Sequence, residues 1–174
     1  MKPIEQIDLA CSHFINRKIK NPKLSWVLGK INKGETLGIF LLPTVFYLHP
    51  NKEGWWILLH VGLITFLTDR LVLFLKKFTA RKRPLLKILE SEDKNPDLKH
   101  SFPSAHAANS MVALLTLIMG YHFPFWFIFF SFFAGIGRLC TLHHFLSDVL
   151  MGWFLGFLMC FVGIYAKTLI LFLL

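Results

Sequence analysis

The sequence predicts an all-α integral-membrane helical bundle of about five transmembrane helices, preceded by an amphipathic N-terminal helix that lies at the interface or makes a sixth span. Three observations predict it. The 174 residues are 55% hydrophobic and 16% aromatic, with mean hydropathy +0.55, too apolar for a water-soluble domain of this size. The apolar residues fall into stretches that approach or reach spanning length, divided by short polar segments. The net charge of +9 is gathered in two segments beside those stretches rather than along a polar face, which points to anionic lipid and away from nucleic acid. The length suits a single domain over 1–174, with residues 1–34 as the interfacial helix and 35–174 as the membrane bundle.

In chain order, Ile4, Ile7, Cys11, Phe14 and Ile15 recur at helical spacing, with Glu5, Asp8, Ser12, Asn16 and Arg17 elsewhere on the wheel. Lys18, Lys20, Lys23, Lys30 and Lys33 then place charge at lipid headgroup level, each worth on the order of 1 kcal/mol against an anionic surface. The segment carries acids and no uninterrupted apolar core before a cleavage site, so no removable signal peptide is expected. Leu37 to Leu48 forms an apolar stretch ended by His49-Pro50-Asn51, and Trp55 to Leu75 follows, opening on an aromatic belt. Asp69 and Arg70 are costly there unless paired; Asp69 can reach either Arg70 or Lys76, two turns on.

Residues 76–103 form the large polar segment, basic through Lys87 and then acidic at Glu90, Glu92, Asp93 and Asp97. Pro103-Ser104 suits a helix start, and the apolar run reaches Met119. His122-Phe123-Pro124 makes a turn, a Phe-dense span follows, and the last span runs from Val149, with Gly152, Gly156 and Gly163 allowing close helix approach. Crossings at 35–49, 54–75, 104–121, 124–140 and 148–172 bring three polar groups to one membrane face: 76–83, 104–106 and 138–144.

Those groups suit phosphoryl chemistry. Lys76, Arg83 and Arg138 can surround a tetrahedral dianion. Ser104 and the N–H groups of Ala105 and His106 add donors at a helix start, where the dipole favours anions. His144 and Asp148, four residues apart, share a helix face if the helix covers both, so the carboxylate can orient the imidazole and raise its basicity. His144 then attacks phosphorus, and His106 protonates the leaving oxygen and later deprotonates water.

Each residue has a plainer alternative. His13, His49, His60, His100 and His122 read as packed or interfacial, and Lys77, Arg81, Lys82 and Lys87 as solvated or lipid-facing. His143, five residues from Asp148, points off the carboxylate's face. A metal site from His106, His143, His144 and Asp148 is the rival reading, opposed by three nearby cations. No metal or cofactor is expected. Cys11, Cys140 and Cys160 lack metal spacing, and an odd count leaves no closed disulfide framework.

Three segments together resemble the signature of the type 2 phosphatidic acid phosphatase superfamily: Lys76, six residues, Arg83-Pro84; Pro103-Ser104-Ala105-His106; and Gly137-Arg138, five residues, His144, three residues, Asp148. The resemblance implies a membrane lipid phosphatase in which Lys76, Arg83 and Arg138 bind phosphate, Ser104 and the adjacent amide donate to it, His106 is the general acid, His144 the nucleophile and Asp148 its partner, without a metal. Two positions depart from the family pattern. Ala105 replaces a glycine, which preserves the amide if its backbone is ordinary helix; Gly137 replaces a serine, removing a donor worth about 1 kcal/mol.

The expected substrate is an envelope lipid phosphate, with lipid A 1-phosphate favoured by the basic rim. Undecaprenyl pyrophosphate, phosphatidylglycerol phosphate and phosphatidate are alternatives, as are transfer of the phosphate to another lipid and a catalytically silent lipid-binding protein. The positive-inside rule would put the site in the cytoplasm. Bacterial relatives acting on envelope lipids face the periplasm, and cations that serve phosphate and headgroups do not report topology, so an inner-membrane protein with a periplasmic site is the expectation.

Overall fold

The structure is a computed structural model that describes residues 3–19, 34–84, 100–141 and 143–173. The basic residues Lys20, Lys23, Lys30 and Lys33, and Lys87, Glu90, Glu92, Asp93 and Asp97, lie outside the described residues.

Among the described residues six α-helices follow one another: α1 (Pro3–Ile19), α2 (Gly34–Leu48), α3 (Lys52–Thr79), α4 (Ala105–Tyr121), α5 (Ile128–Cys140), introduced by a 3-10 turn at Phe125–Phe127, and α6 (Leu146–Leu173). The boundaries follow the local sequence. Pro50 and Asn51 separate α2 from α3, with Asn51 at positive φ. Helix α3 runs four residues past the expected end, taking Lys76 into its last turn, and stops at Ala80 in the left-handed conformation, whose N–H bonds the Lys76 carbonyl at 3.0 Å. Ser104 is the N-cap of α4, and His122, at φ 58°, ends it by donating to the Leu117 carbonyl.

Helices α3 and α6, 28 residues each and about 42 Å long, are long and apolar enough to cross a membrane. Only 22% and 33% of their most apolar windows are buried in the protein, so their outward faces are apolar surfaces with no protein cover. Helices α2, α4 and α5 are shorter apolar elements.

Helix α4 is central, packed by α3, α5 and α6. Its approach to α6 is close enough to require glycine: a Cβ on Gly152 would stand 2.5 Å from the Ser104 carbonyl oxygen, and one on Gly156 2.5 Å from that of Ala108. Antiparallel α3 and α4 build the core in layers: Ile57 with Leu114 and Leu117, Ile64 with Met111, Val112 and Cys160, and Val72 with Ala108 and Leu155. At the first layer's end, His60 Nδ1 meets the Tyr121 hydroxyl at 2.8 Å while its Nε2 meets the Gly163 carbonyl at 3.0 Å. Lys167 Nζ there donates to the Gly120 carbonyl at 2.8 Å, capping α4. The polar groups singled out in the sequence gather at the opposite end.

Helix α1 docks through polar side chains. Among its described side chains Asp8 and Ser12 are buried, whereas Ile7 and Phe14 are exposed. The polar face meets α5 and α6, where half-buried Ile15 packs beside Ala107, Leu139 and Val149, while Ile7 and Phe14 lie on the outer side.

Candidate active site

The end of α3, the start of α4, the end of α5 and the start of α6 converge through backbone bonds. After Ala80 the chain turns extended, and Lys82 forms an antiparallel bridge with His100. Ser101 N–H donates to the Arg81 carbonyl at 2.7 Å, and Thr79 Oγ1 to that of Phe102 at 3.0 Å. Ser104 N–H donates to the Asp148 carbonyl at 2.9 Å. The three sequence segments are thus tied by main chain, independently of their side chains.

All eight residues singled out for phosphate chemistry lie at this end. Lys76 and Arg83 are buried, Lys76 in the last turn of α3 and Arg83 just beyond the bridge. Ser104 is fully buried and accepts weakly from Ala107 N–H at 3.5 Å, which leaves its own hydroxyl proton as a donor. Ala105 is the first helical residue of α4 and is absent from the positive-φ residues, so its amide is an ordinary first-turn donor. Arg138, in the last turn of α5, donates from Nη2 to His106 Nε2, which is therefore an unprotonated acceptor. Its buried Nε has no hydrogen-bond partner among the described residues. His106 lies within electrostatic reach of Arg138, His144, Lys76 and Arg83.

His144 departs from the expected geometry. Helix α6 begins only at Leu146, so His144 sits in the preceding bend rather than one helical turn below Asp148. Its Nδ1 meets the Ser101 carbonyl at 2.7 Å, while Asp148 Oδ2 stands 3.6 Å from the same nitrogen, beyond hydrogen-bond range. The carboxylate acts on the ring by charge, and the carbonyl orients it. A carbonyl only accepts, so Nδ1 carries the proton and Nε2 keeps a free lone pair in the neutral ring. Nor is the imidazole made more basic. Burial pushes its pKa down to about 4; Asp148 opposes this, and Arg83 and Lys76 add to the lowering. Burial also lowers His143, which bonds the Thr141 carbonyl at 3.0 Å.

The PAP2 superfamily model matches residues 54–169, well over half of the chain. The chain belongs to the PAP2 superfamily. PAP2 family members are lipid phosphatases, so it is an enzyme of that class and an integral membrane protein. A solved structure described as the crystal structure of the first transmembrane PAP2 type phosphatidylglycerolphosphate phosphatase from Bacillus subtilis shares its fold, with TM-score 0.70 and 24% identity over 97% of this chain and 88% of that one. No curated protein matches it.

In this PAP2 chain Asp148 is held elsewhere than expected. Its Oδ2 accepts from Phe145 N–H at 2.8 Å, an acidic side chain reaching back to cap its own helix, and its Oδ1 accepts from Arg81 Nη1 at 2.6 Å. Arg81, expected to be solvated or lipid-facing, is only 15% exposed. Its guanidinium lies 3.9 Å from the centroid of the Phe145 ring, and its Nη2 donates to Asp8 Oδ2 at 2.7 Å. Lys77 and Lys82 are exposed as expected. Asp69 pairs with Arg70 at 2.7 Å and accepts from Asn109 at 3.0 Å, so of its two expected partners it takes the neighbour. Among the described residues no group of three His, Cys, Asp or Glu side chains could hold a metal ion, so the rival ligand set of His106, His143, His144 and Asp148 does not converge.

Sequence reasoning missed Arg81, Asp8, Ser12, Ser101 and Ser147. Only Arg81 carried a signal, as an arginine inside the first motif; a backbone carbonyl such as that of Ser101 has no sequence signature.

Proposed function

We propose that the enzyme removes phosphate from an envelope lipid through a phosphohistidine on His144. The observation that carries this reading is the environment of that ring: buried, neutral at pH 7, proton on Nδ1 toward Ser101, and Nε2 free near Lys76 and Arg83. Lys76, Arg83, Arg138, the Ser104 hydroxyl and the first amides of α4 bind the phosphate and stabilise the charge of its trigonal-bipyramidal transition state. His144 Nε2 bonds to phosphorus as the bond to the lipid oxygen breaks, and Asp148 stabilises the imidazolium character that develops. His106, released from Arg138 when the phosphate takes that guanidinium, takes the proton of the bound phosphate monoanion on Nε2 and passes it to the leaving lipid oxygen. It then accepts a proton from the water that attacks the phosphohistidine, releasing inorganic phosphate and restoring neutral His144.

Helices α2 to α6 make five crossings in this reading, α1 lies on the membrane, and the site opens to the periplasm. Lipid A 1-phosphate is the proposed substrate, on the strength of the basic rim, to which exposed Lys77 and Lys82 contribute. Phosphatidylglycerol phosphate is the second reading, favoured by the activity of the Bacillus subtilis protein that shares the fold.

The deciding experiment is phosphate release by the detergent-purified protein from lipid A 1-phosphate, phosphatidylglycerol phosphate, undecaprenyl pyrophosphate and phosphatidate, with EDTA present. Activity that survives EDTA, together with acid-labile label on His144 from labelled substrate, is the expected result. Label passing to a second lipid would make it a transferase, and no turnover of any lipid would sink the reading.

A further inference from the structure

Asp8 and Ser12 lie in the first helix, far in sequence from the motif residues, yet they complete the start of α6. A helix start leaves backbone N–H groups without intrahelical partners. Here α1 supplies two acceptors: Ser12 Oγ accepts from Leu146 N–H at 3.2 Å, and Asp8 Oδ1 from Ser147 N–H at 3.1 Å. Asp8 Oδ2 also accepts from the Ser147 hydroxyl and from Arg81 Nη2. Arg81 in turn grips Ser147 Oγ at 2.7 Å and Asp148 Oδ1 at 2.6 Å. Asp8 is 8% exposed, Arg81 15% and Asp148 fully buried, so these are bonds in a water-poor setting where geometry is held tightly.

We infer that Asp8 is a positioning residue for the reaction, acting through Arg81 to fix the Asp148 carboxylate beside His144, so that α1 is part of the working site and more than a membrane anchor. The inference rests on the proposed role of His144. An arginine with one carboxylate on each side is a clamp. Asp8 sets the plane of the guanidinium, the guanidinium sets Asp148 Oδ1, and Phe145 N–H sets Oδ2. Asp148 makes no hydrogen bond to His144 in this state, so its 3.6 Å placement depends on those outer contacts. The Phe145 ring beneath the guanidinium keeps the clamp flat.

Asp8→Asn tests this because the amide keeps one acceptor and turns a donor toward either Arg81 or Ser147, donors themselves. The expected result is kcat lowered about tenfold to a hundredfold with KM within about twofold, since misplacement near the reacting atoms costs that much. Asp8→Glu, which restores the charge, should recover part of the loss. Ser12→Ala removes the other cap without touching Arg81; it should lower the unfolding temperature and leave kcat within about twofold. Wild-type kcat in Asp8→Asn, or an equal loss in Ser12→Ala, would overturn the inference. Should Asp8→Asn fail to fold, Arg81→Lys reads it instead: one nitrogen cannot join both carboxylates, so the same kcat loss is expected and wild-type kcat counts against the clamp. His144→Ala and orthovanadate binding are measured in parallel. Hydrolysis lost in His144→Ala but unchanged in Asp8→Asn refutes the clamp alone, whereas wild-type protein that neither hydrolyses any lipid phosphate nor binds orthovanadate refutes the site and the clamp with it.

Discussion

His144 and Ser101, 43 residues apart, are joined by a 2.7 Å contact between the imidazole Nδ1 and a main-chain carbonyl. That contact fixes the tautomer, and burial lowers the pKa of the ring from 6.5 to about 4. Between those values the unfolded chain takes up a proton that the folded chain does not. Stability is therefore full above about pH 6.5, falls as pH drops through that window by on the order of 3 kcal/mol, and levels off below about 4. Unfolding temperatures in detergent from pH 7 to 4 should fall more steeply for wild type than for His144→Phe. Equal slopes would mean that His144 is not held neutral by the fold.

The two adjacent histidines separate sharply. His144 is buried, held by Nδ1 on the Ser101 carbonyl within the field of Arg83 and Lys76, while His143 is half-buried and turned to the Thr141 carbonyl. His144→Ala should lower phosphate release by several orders of magnitude, whereas His143→Ala should keep it within about tenfold. Steady-state rates on the best lipid of the panel decide this, and a dead His143→Ala would reassign the nucleophile.

The helical architecture and the set of polar residues at one end were legible in the sequence, because apolar run length reports helices and the crossings it predicts bring Lys76, Arg83, His106, Arg138, His144 and Asp148 to one end. The orientation of His144 was not. The four-residue spacing to Asp148 implied a shared helix face, but the helix starts after His144 and a carbonyl takes the proton instead. Arg81 was misread because its partners, Asp148 and Asp8, lie 67 and 73 residues away, and nothing local distinguishes a clamped arginine from a solvated one. The apolar period of α1 identified a helix yet not which face meets protein: in a bilayer the apolar side of a helix can face lipid and its polar side the bundle.

Glycine-mediated contact between α4 and α6 sets the spacing of the site. A Cβ at Gly156 would lie 2.5 Å from the Ala108 carbonyl oxygen and 2.7 Å from Met111 Cβ, against backbone that cannot move without shifting α4. Gly156→Ala should cost about 1–3 kcal/mol of stability. At Gly38 nothing lies within 4 Å, so Gly38→Ala should be neutral or raise stability by up to about 1 kcal/mol. Thermal unfolding of the pair in detergent checks this, and equal midpoints would refute the close packing.

The proposed orientation predicts which end of the bundle meets the periplasm. Lys82 is exposed at the site end and Lys52 at the start of α3, at the other. The positive-inside rule argues the reverse, since basic residues crowd the site end. Lys76 and Arg83 are buried and Arg138 half-buried, all three phosphate-site candidates, however, and Arg81 is engaged with two carboxylates, so these four charges are committed to the fold and site rather than left to report topology. In a background with Cys11, Cys140 and Cys160 replaced by alanine, a membrane-impermeant maleimide should label Lys82→Cys in intact spheroplasts and Lys52→Cys only after lysis. The opposite pattern would place the site in the cytoplasm, and with it the phosphate that the reaction releases.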